Sequence, residues 1–220
     1  MARPGPLQDP PSDLGGRRLS ILEKDSAWYR THSIQRQPVF YGKAGLHRFD
    51  APDQSYGVLY AAQDPYCAFI ETFGHSTGIN TVTTEALAAR ALSLLQPSRA
   101  LRLVDLTDSG SLARIGADAR LFAADTKVAQ KWSRALYIHP ARADGILYPA
   151  RHDPARGACA IFDRAPKLVA IQMTCWWVDE GPHRQLLAGI LDHYGFSLIE
   201  TQSLLERKPP RKALQPTLFE

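Results

Sequence analysis

The stretch from His47 to Phe73, HRFDAPDQSYGVLYAAQDPYCAFIETF, constrains the fold of this chain more than any other. Its apolar run GVLYAA, residues 57–62, reads as a short buried strand. Asp64 and Pro65 follow almost at once, as an N-cap and a proline at the first helical position, and open a helix through Phe73. A strand passing so directly into a capped helix fixes a local turn of the chain. Within that apolar helix stands one carboxylate, Glu71. An ionisable group among hydrophobic neighbours is costly unless something pairs with it, so Glu71 calls for a partner.

The remaining patterns are mixed. Trp28 to His32 reads as a strand edge, and ALRLVDL (100–106) alternates as a strand does. Residues 111–115 and 126–137 read as helices, the second with Val128, Trp132 and Ala135 to Leu136 on one side. Residues 145–148 and 158–162 are short apolar strands, 168–178 is long and β-rich, and 181–194 is a surface helix ending near Gly195. Strands and helices do not alternate strictly, so an α+β fold is expected rather than a doubly wound one. Residues 1–25, rich in Pro, Gly and polar groups, read as a flexible arm. A folded domain is expected over 26–206 and a basic tail over 207–220.

Composition excludes several classes. The three cysteines are scattered and form no CxxC pair, so neither a disulfide framework nor a cysteine zinc site is expected. That usage fits a reducing, cytoplasmic setting. The first residues lack the apolar core of a secretory signal, and no apolar run approaches the roughly 20 residues of a membrane helix. The net charge of +4 is modest and lies partly in RKPPRK (207–212). Without a basic stripe interleaved with aromatics, no direct nucleic-acid partner is expected. There is no GxGxxG, P-loop, HExxH or GxSxG pattern, which leaves dinucleotide-fold, P-loop, zinc-protease and serine-hydrolase chemistry unsupported. No metal is expected.

Four residues carry the positive case. Arg30 follows an aromatic pair and Arg48 sits in a polar turn; each is equally readable as a surface cation, Arg48 pairing with Asp50 or Asp53. Tyr60 closes the apolar strand and is also readable as a core tyrosine. Together with Glu71 they suit one chemistry. Arginine forks bind phosphates, an aromatic face stacks on a flat cation, and a carboxylate stabilises developing positive charge. Cleavage of the nicotinamide–ribose bond of NAD needs all three, because the ribose becomes oxocarbenium-like as the bond breaks. His32 and Asp50 are lesser candidates.

The order of several segments resembles the RES-domain family, named for Arg, Glu and Ser. They are YRTHS (29–33), HRFD (47–50), GVLYAAQDPYCAFIETF (57–73), LVDL (103–106), QKWSRALYIHP (130–140), DGILYPARHD (144–153) and ACAIFDRA (158–165). The resemblance spans about residues 28–200 and implies an ADP-ribosyltransferase-like fold: a twisted, split, mostly antiparallel β-sheet core with flanking helices. It implies a toxin of a toxin–antitoxin system that consumes NAD as substrate, with no recycled cofactor. The activity would be that of an NAD glycohydrolase, an NAD phosphorylase or an ADP-ribosyltransferase acting on a target protein. The acceptor would accordingly be water, inorganic phosphate or a protein. The implied partner is an antitoxin with an Xre-like helix-turn-helix, in a hetero-oligomer. Arg30, Arg48, Tyr60 and Glu71 match family positions: Arg30, Tyr60 and Glu71 as catalytic residues, and Arg48 as a substrate-binding residue with Arg30 and Tyr60. The family pattern has Ser before Arg after DGILYP, whereas this chain has Ala150 before Arg151. A lost hydroxyl there leaves open an inactivating Ser-to-Ala substitution, a natural variant of altered or weak activity, a silent nucleotide- or protein-binding module, or compensation by Arg151, His152 or Ser133.

Overall fold

A computed structural model describes residues 5–76, 78–123 and 125–201; the expected basic tail lies outside them. The described residues form ten strands and five α-helices, several of which the patterns above do not mark. They are β1 (Ile21–Lys24), β2 (Trp28–Ser33), β3 (Val58–Ala62), α1 (Pro65–Phe73), β4 (Thr81–Thr83), α2 (Thr84–Ala88), β5 (Arg90–Pro97), β6 (Leu101–Asp105), α3 (Ser111–Ile115), α4 (Thr126–Ile138), β7 (Gly145–Pro149), β8 (Gly157–Phe162), β9 (Val169–Trp176), α5 (Pro182–Tyr194) and β10 (Ser197–Ile199).

Eight strands form one sheet in the order β1-β6-β7-β8-β3-β2-β5-β9, and β10 and β4 form a small parallel pair. Neighbours in the large sheet run antiparallel except β6 and β7. The fold is therefore α+β with a mostly antiparallel sheet. Period-2 alternation explains why both faces are buried. Val58 and Ala62 of β3, with Ile146 and Phe162, join the larger core beneath the helices, where Phe69 and Trp132 pack. Leu59 and Ala61 point the other way, into a smaller core with Trp28, Leu103 and Ile161.

One junction in this sheet is weak. β2 is registered with β5 along its whole length, from Trp28↔Leu95 to Ser33↔Arg90, yet with β3 only at Tyr29↔Ala62. Beyond that pair the two strands diverge and the sheet splits. β2 is thus an interior strand that opens on one side, rather than an edge.

Helix α1 begins as its sequence predicts: Asp64 accepts the Cys67 N–H at 2.9 Å and Pro65 occupies the first turn. It buries Cys67, Ala68, Phe69 and Ile70, which turns Glu71 away from the core. Helix α5 ends at Gly195, whose φ of 63° suits the residue that follows a helix.

The N-terminal segment departs from the flexible arm its composition suggests. Leu7, Leu14 and Leu19 are buried in the main core, and β1 pairs with β6 from Ile21↔Val104 to Lys24↔Leu101. The Trp132 indole donates to the Gln8 carbonyl at 3.0 Å, and Lys131 meets Asp9 at 2.6 Å. Three spaced leucines supply enough apolar burial to order a Pro-rich strap, and its prolines shape turns without preventing packing.

A buried aspartate, paired with a half-exposed arginine, ties β6 to the end of the loop after α4. Arg99 donates to both Asp144 oxygens, at 2.7 and 2.8 Å, and the Arg102 N–H adds a third bond at 2.9 Å. Burial works to raise the Asp144 carboxyl, but these donors outweigh it and hold the group below the ordinary carboxylate range. The unfolded chain therefore binds more protons than the native state between the two values. This contribution is fully present above about pH 4 and is lost as pH falls through the folded value. Arg99→Ala is expected to shift acid unfolding, followed by circular dichroism, to higher pH. An unchanged acid midpoint would assign the pair no role in acid stability.

Candidate functional site

The split between β2 and β3 opens into a cavity of about 780 Å³, within the range of small-molecule sites. Among the described residues five arginines line it, Arg30, Arg36, Arg48, Arg90 and Arg151, against a single carboxylate, Glu71.

Arg30 reaches across the split and donates from Nη1 to the Tyr60 carbonyl at 3.2 Å. Its Nε is buried without a hydrogen-bond partner. Burial, and then the neighbouring Arg36, pull its guanidinium down to about 10, so it remains a cation at neutral pH. A buried donor and charge left this way is costly unless a ligand completes it. Next on the strand, the His32 ring bonds the Ser33 carbonyl through Nδ1 and the Ser93 hydroxyl through Nε2, each at 2.9 Å. A carbonyl only accepts, so Nδ1 carries a proton. Burial lowers the pKa of this ring, which favours the neutral form. In that form Nε2 accepts from Ser93, whose hydroxyl lies 2.7 Å from that of Thr174.

Opposite stands the turn that carries Arg48. Asp50, fully buried, accepts the Leu46 and His47 N–H groups at 3.0 Å and the Tyr60 hydroxyl at 2.9 Å. The Tyr60 oxygen in turn accepts the Phe49 N–H at 2.9 Å. Burial, with the adjacent Asp50, pushes the Tyr60 hydroxyl well above its ordinary pKa. From α4, Gln130 donates to the Gly45 and His47 carbonyls, and Ser133 donates to the Phe49 carbonyl at 2.6 Å. The turn is thus held by a strand and a helix at once, and Arg48 is carried to the cavity wall with Nη1 on the Leu121 carbonyl at 3.3 Å. Burial, then repulsion from Arg151, lower its pKa.

Glu71 is half-buried at the cavity wall, and its Oε1 accepts the His152 N–H at 3.1 Å. Glu71 also attracts Arg48 electrostatically. Tyr148, nearly buried, lines the floor beside Phe49. The His75 and His152 rings meet edge to face at 5.6 Å.

Arg30, His32, Arg48, Tyr60, Glu71 and Arg151 therefore converge on one cavity. Asp50 stands behind Tyr60 and acts on the cavity through it. Ala150 is different: it is buried in the main core, its N–H donates to the Arg156 carbonyl at 2.8 Å, and only its neighbours Pro149 and Arg151 line the cavity. Ser133 is fully buried and engaged with Phe49 and Tyr56, so it offers no substitute hydroxyl. The sequence reading missed Arg36, Arg90 and Tyr148. Arg90 belongs to a strand that the reading did not identify, and no local pattern marks Arg36.

A second cavity, of about 590 Å³, shares Phe122 and Pro149 with the first. Its charged rim is already paired, Asp108 with Arg114, Asp118 with Arg120 and Arg156 with Asp64. Among the described residues no cluster of three or more His, Cys, Asp or Glu is placed to hold a metal ion, and no helix is long and apolar enough to cross a membrane.

Known proteins resemble this chain in sequence and in fold. A protein of Sinorhizobium fredii (strain NBRC 101917 / NGR234), described as probable toxin y4kH, is 30% identical over 122 residues, which is 55% of this chain and 90% of that protein. The crystal structure of the M. tuberculosis MbcT–MbcA toxin–antitoxin complex contains a chain of the same fold, with a TM-score of 0.58 at 18% identity. The match covers 80% of this chain and 94% of that one. The RES domain matches residues 27–185, from the start of β2 into α5, and the chain belongs to the RES-domain family.

Proposed function

We propose that this protein is a toxin of a toxin–antitoxin system that consumes NAD by cleaving its nicotinamide–ribose bond. The observation that carries the reading is that, among the described residues, one carboxylate, Glu71, faces five arginines across the cavity lining, with a buried, incompletely bonded Arg30 at the sheet split. The description of the S. fredii relative as a probable toxin and the toxin–antitoxin complex of the structural neighbour support the biological half. The partner would be an Xre-like helix-turn-helix antitoxin in a hetero-oligomer, in the cytoplasm.

In this reading Arg30 and Arg48 bind the diphosphate. The Tyr60 hydroxyl is already engaged on both sides, so Tyr60 contributes its ring face to the nicotinamide. As the C–N bond breaks, its electron pair leaves with neutral nicotinamide and the ribose becomes cationic. Glu71 stabilises that cation or holds a ribose hydroxyl. Water, phosphate or a protein side chain then bonds the anomeric carbon and gives up its proton if it carries one.

Incubation with NAD followed by chromatographic detection of free nicotinamide is the direct test, with Ala150→Ser alongside. Absence of nicotinamide from both proteins would sink the enzymatic reading. A second reading, a silent nucleotide- or protein-binding module, is favoured by Ala150 alone. It predicts calorimetric NAD binding with no product.

A further inference from the structure

Glu71 is held by more than the helix that carries it. Its Oε1 accepts the His152 N–H at 3.1 Å, and His152 belongs to the loop 150–156 that joins β7 to β8. That loop closes on itself: the Ala150 N–H donates to the Arg156 carbonyl at 2.8 Å, and the Arg156 N–H to the Asp153 carbonyl at 2.9 Å. The Arg156 side chain then fixes the closed loop against α1. Its Nε donates to Asp153 Oδ2 at 2.8 Å and its Nη1 to Asp64 Oδ2 at 2.7 Å, and the guanidinium lies over the Tyr66 ring, 4.7 Å from its centroid. Asp64 is the N-cap of α1, and its other oxygen accepts the Cys67 N–H. The loop is therefore tied to α1 twice, at the cap through Arg156 and near the far end through His152.

Helix α5 adds a third support. The Tyr194 hydroxyl donates to the same Asp153 Oδ2 at 2.8 Å. Its ring and that of His193 meet Tyr66 edge to face, at 6.3 and 5.3 Å. Burial works to raise the Asp153 carboxyl, but Tyr194 and Arg156 outweigh it and hold the group below the ordinary carboxylate range. It therefore stays a carboxylate that both donors share. The Arg156, Asp64 and Asp153 side chains are 26%, 31% and 17% exposed, so this network is partly buried and less screened than surface pairs. Tyr194, Asp153 and Arg156 do not line the cavity at the sheet split. They act on it through the loop, which presents Arg151 to the cavity and the His152 N–H to Glu71. An ångström-scale misplacement of a reacting group can cost about 100-fold in rate, so whatever fixes this loop bears on Glu71.

We infer that Tyr194, Asp153 and Arg156 are positioning residues for Glu71: they lock the β7–β8 loop against α1 and α5, so that the His152 N–H aims the carboxylate into the cavity. The catalytic consequence rests on the NAD reading; the positioning does not.

The test pairs amide hydrogen exchange, read by NMR, with steady-state nicotinamide release. Both are measured on the full chain and on Tyr194→Phe, Arg156→Gln and Arg156→Lys, with Glu71→Ala as the reference for a broken His152 bond. Tyr194→Phe keeps the ring beside Tyr66 and His193 and removes only the hydroxyl, so it is expected to fold. The His152 amide is expected to be protected in the native protein and to lose that protection in Glu71→Ala. Arg156→Gln should speed its exchange at least about tenfold and Tyr194→Phe about threefold, while amides of β8 keep their native rates. Release of nicotinamide should show kcat lower by about the same factors, with KM within about twofold of native. Arg156→Lys, which keeps one of the two ion pairs, should recover part of both losses. The inference is overturned if the native His152 amide is unprotected, if neither Arg156→Gln nor Tyr194→Phe changes its exchange, or if β8 loosens by the same factor. Faster local exchange with native kcat removes the catalytic consequence. Faster local exchange in a protein that releases no nicotinamide defeats the NAD reading and leaves the positioning standing.

Discussion

Glu71→Ala is expected to lower nicotinamide release by about 100- to 1000-fold, the cost of removing one preorganised electrostatic contact to a transition state. Among the described residues Glu71 is the only carboxylate on the cavity wall, and its sole described hydrogen bond is from the His152 N–H. Losing that bond costs the fold about 1 kcal/mol, so the variant remains folded and the loss is read in kcat. Glu71→Gln separates charge from shape. It keeps an acceptor for His152 while removing the negative charge, and it is expected to fall nearly as far as alanine. A glutamine variant with native turnover would show that Glu71 acts through its hydrogen bond to the β7–β8 loop.

Asp50→Ala is expected to have the largest effect on stability, about 3 kcal/mol or more, because it strips the acceptor from three donors at once. The Leu46 and His47 N–H groups and the Tyr60 hydroxyl converge on one buried carboxylate. Urea unfolding should show the lower midpoint without a change in slope. Tyr60→Phe removes one arm of the same network and should cost less, about 1–2 kcal/mol. The two changes share a contact, so the double variant should lose less than the sum. Additive losses would mean that Asp50 and Tyr60 stabilise the turn independently. Because the turn aims Arg48, either change is also expected to raise KM for NAD.

The parts of the fold legible in the sequence are those fixed locally. Asp64 and Pro65 state where α1 starts, and apolar runs such as 145–148 and 158–162 state where strands lie. The β5 segment RALSLLQP carries no such mark. Its burial mixes consecutive and alternate residues, which is the pattern of a strand covered on both faces and equally of a buried helix. Missing β5 hid the pairing that makes β2 an interior strand and brings Arg90 to Ser33. The N-terminal strap misled for the opposite reason: its Pro and Gly content is conspicuous, while three widely spaced leucines are not. At the site, Arg30, Arg48, Tyr60 and Glu71 were legible as residue types suited to one chemistry and through family resemblance. Asp50 and Tyr60 were legible as candidates but not as a pair, because a hydrogen bond between a turn and a strand leaves no periodic trace.

The single registered pair between β2 and β3 has a mechanical consequence. A sheet that is continuous on either side of one weak seam behaves as two stiff plates joined by a compliant line. Backbone amides on β3 facing the seam should exchange with solvent sooner than those of β8 behind it. A molecule that touches Arg30 on one plate and Arg48 on the other would act as a cross-brace. It would slow that exchange and raise the melting temperature in proportion to its occupancy.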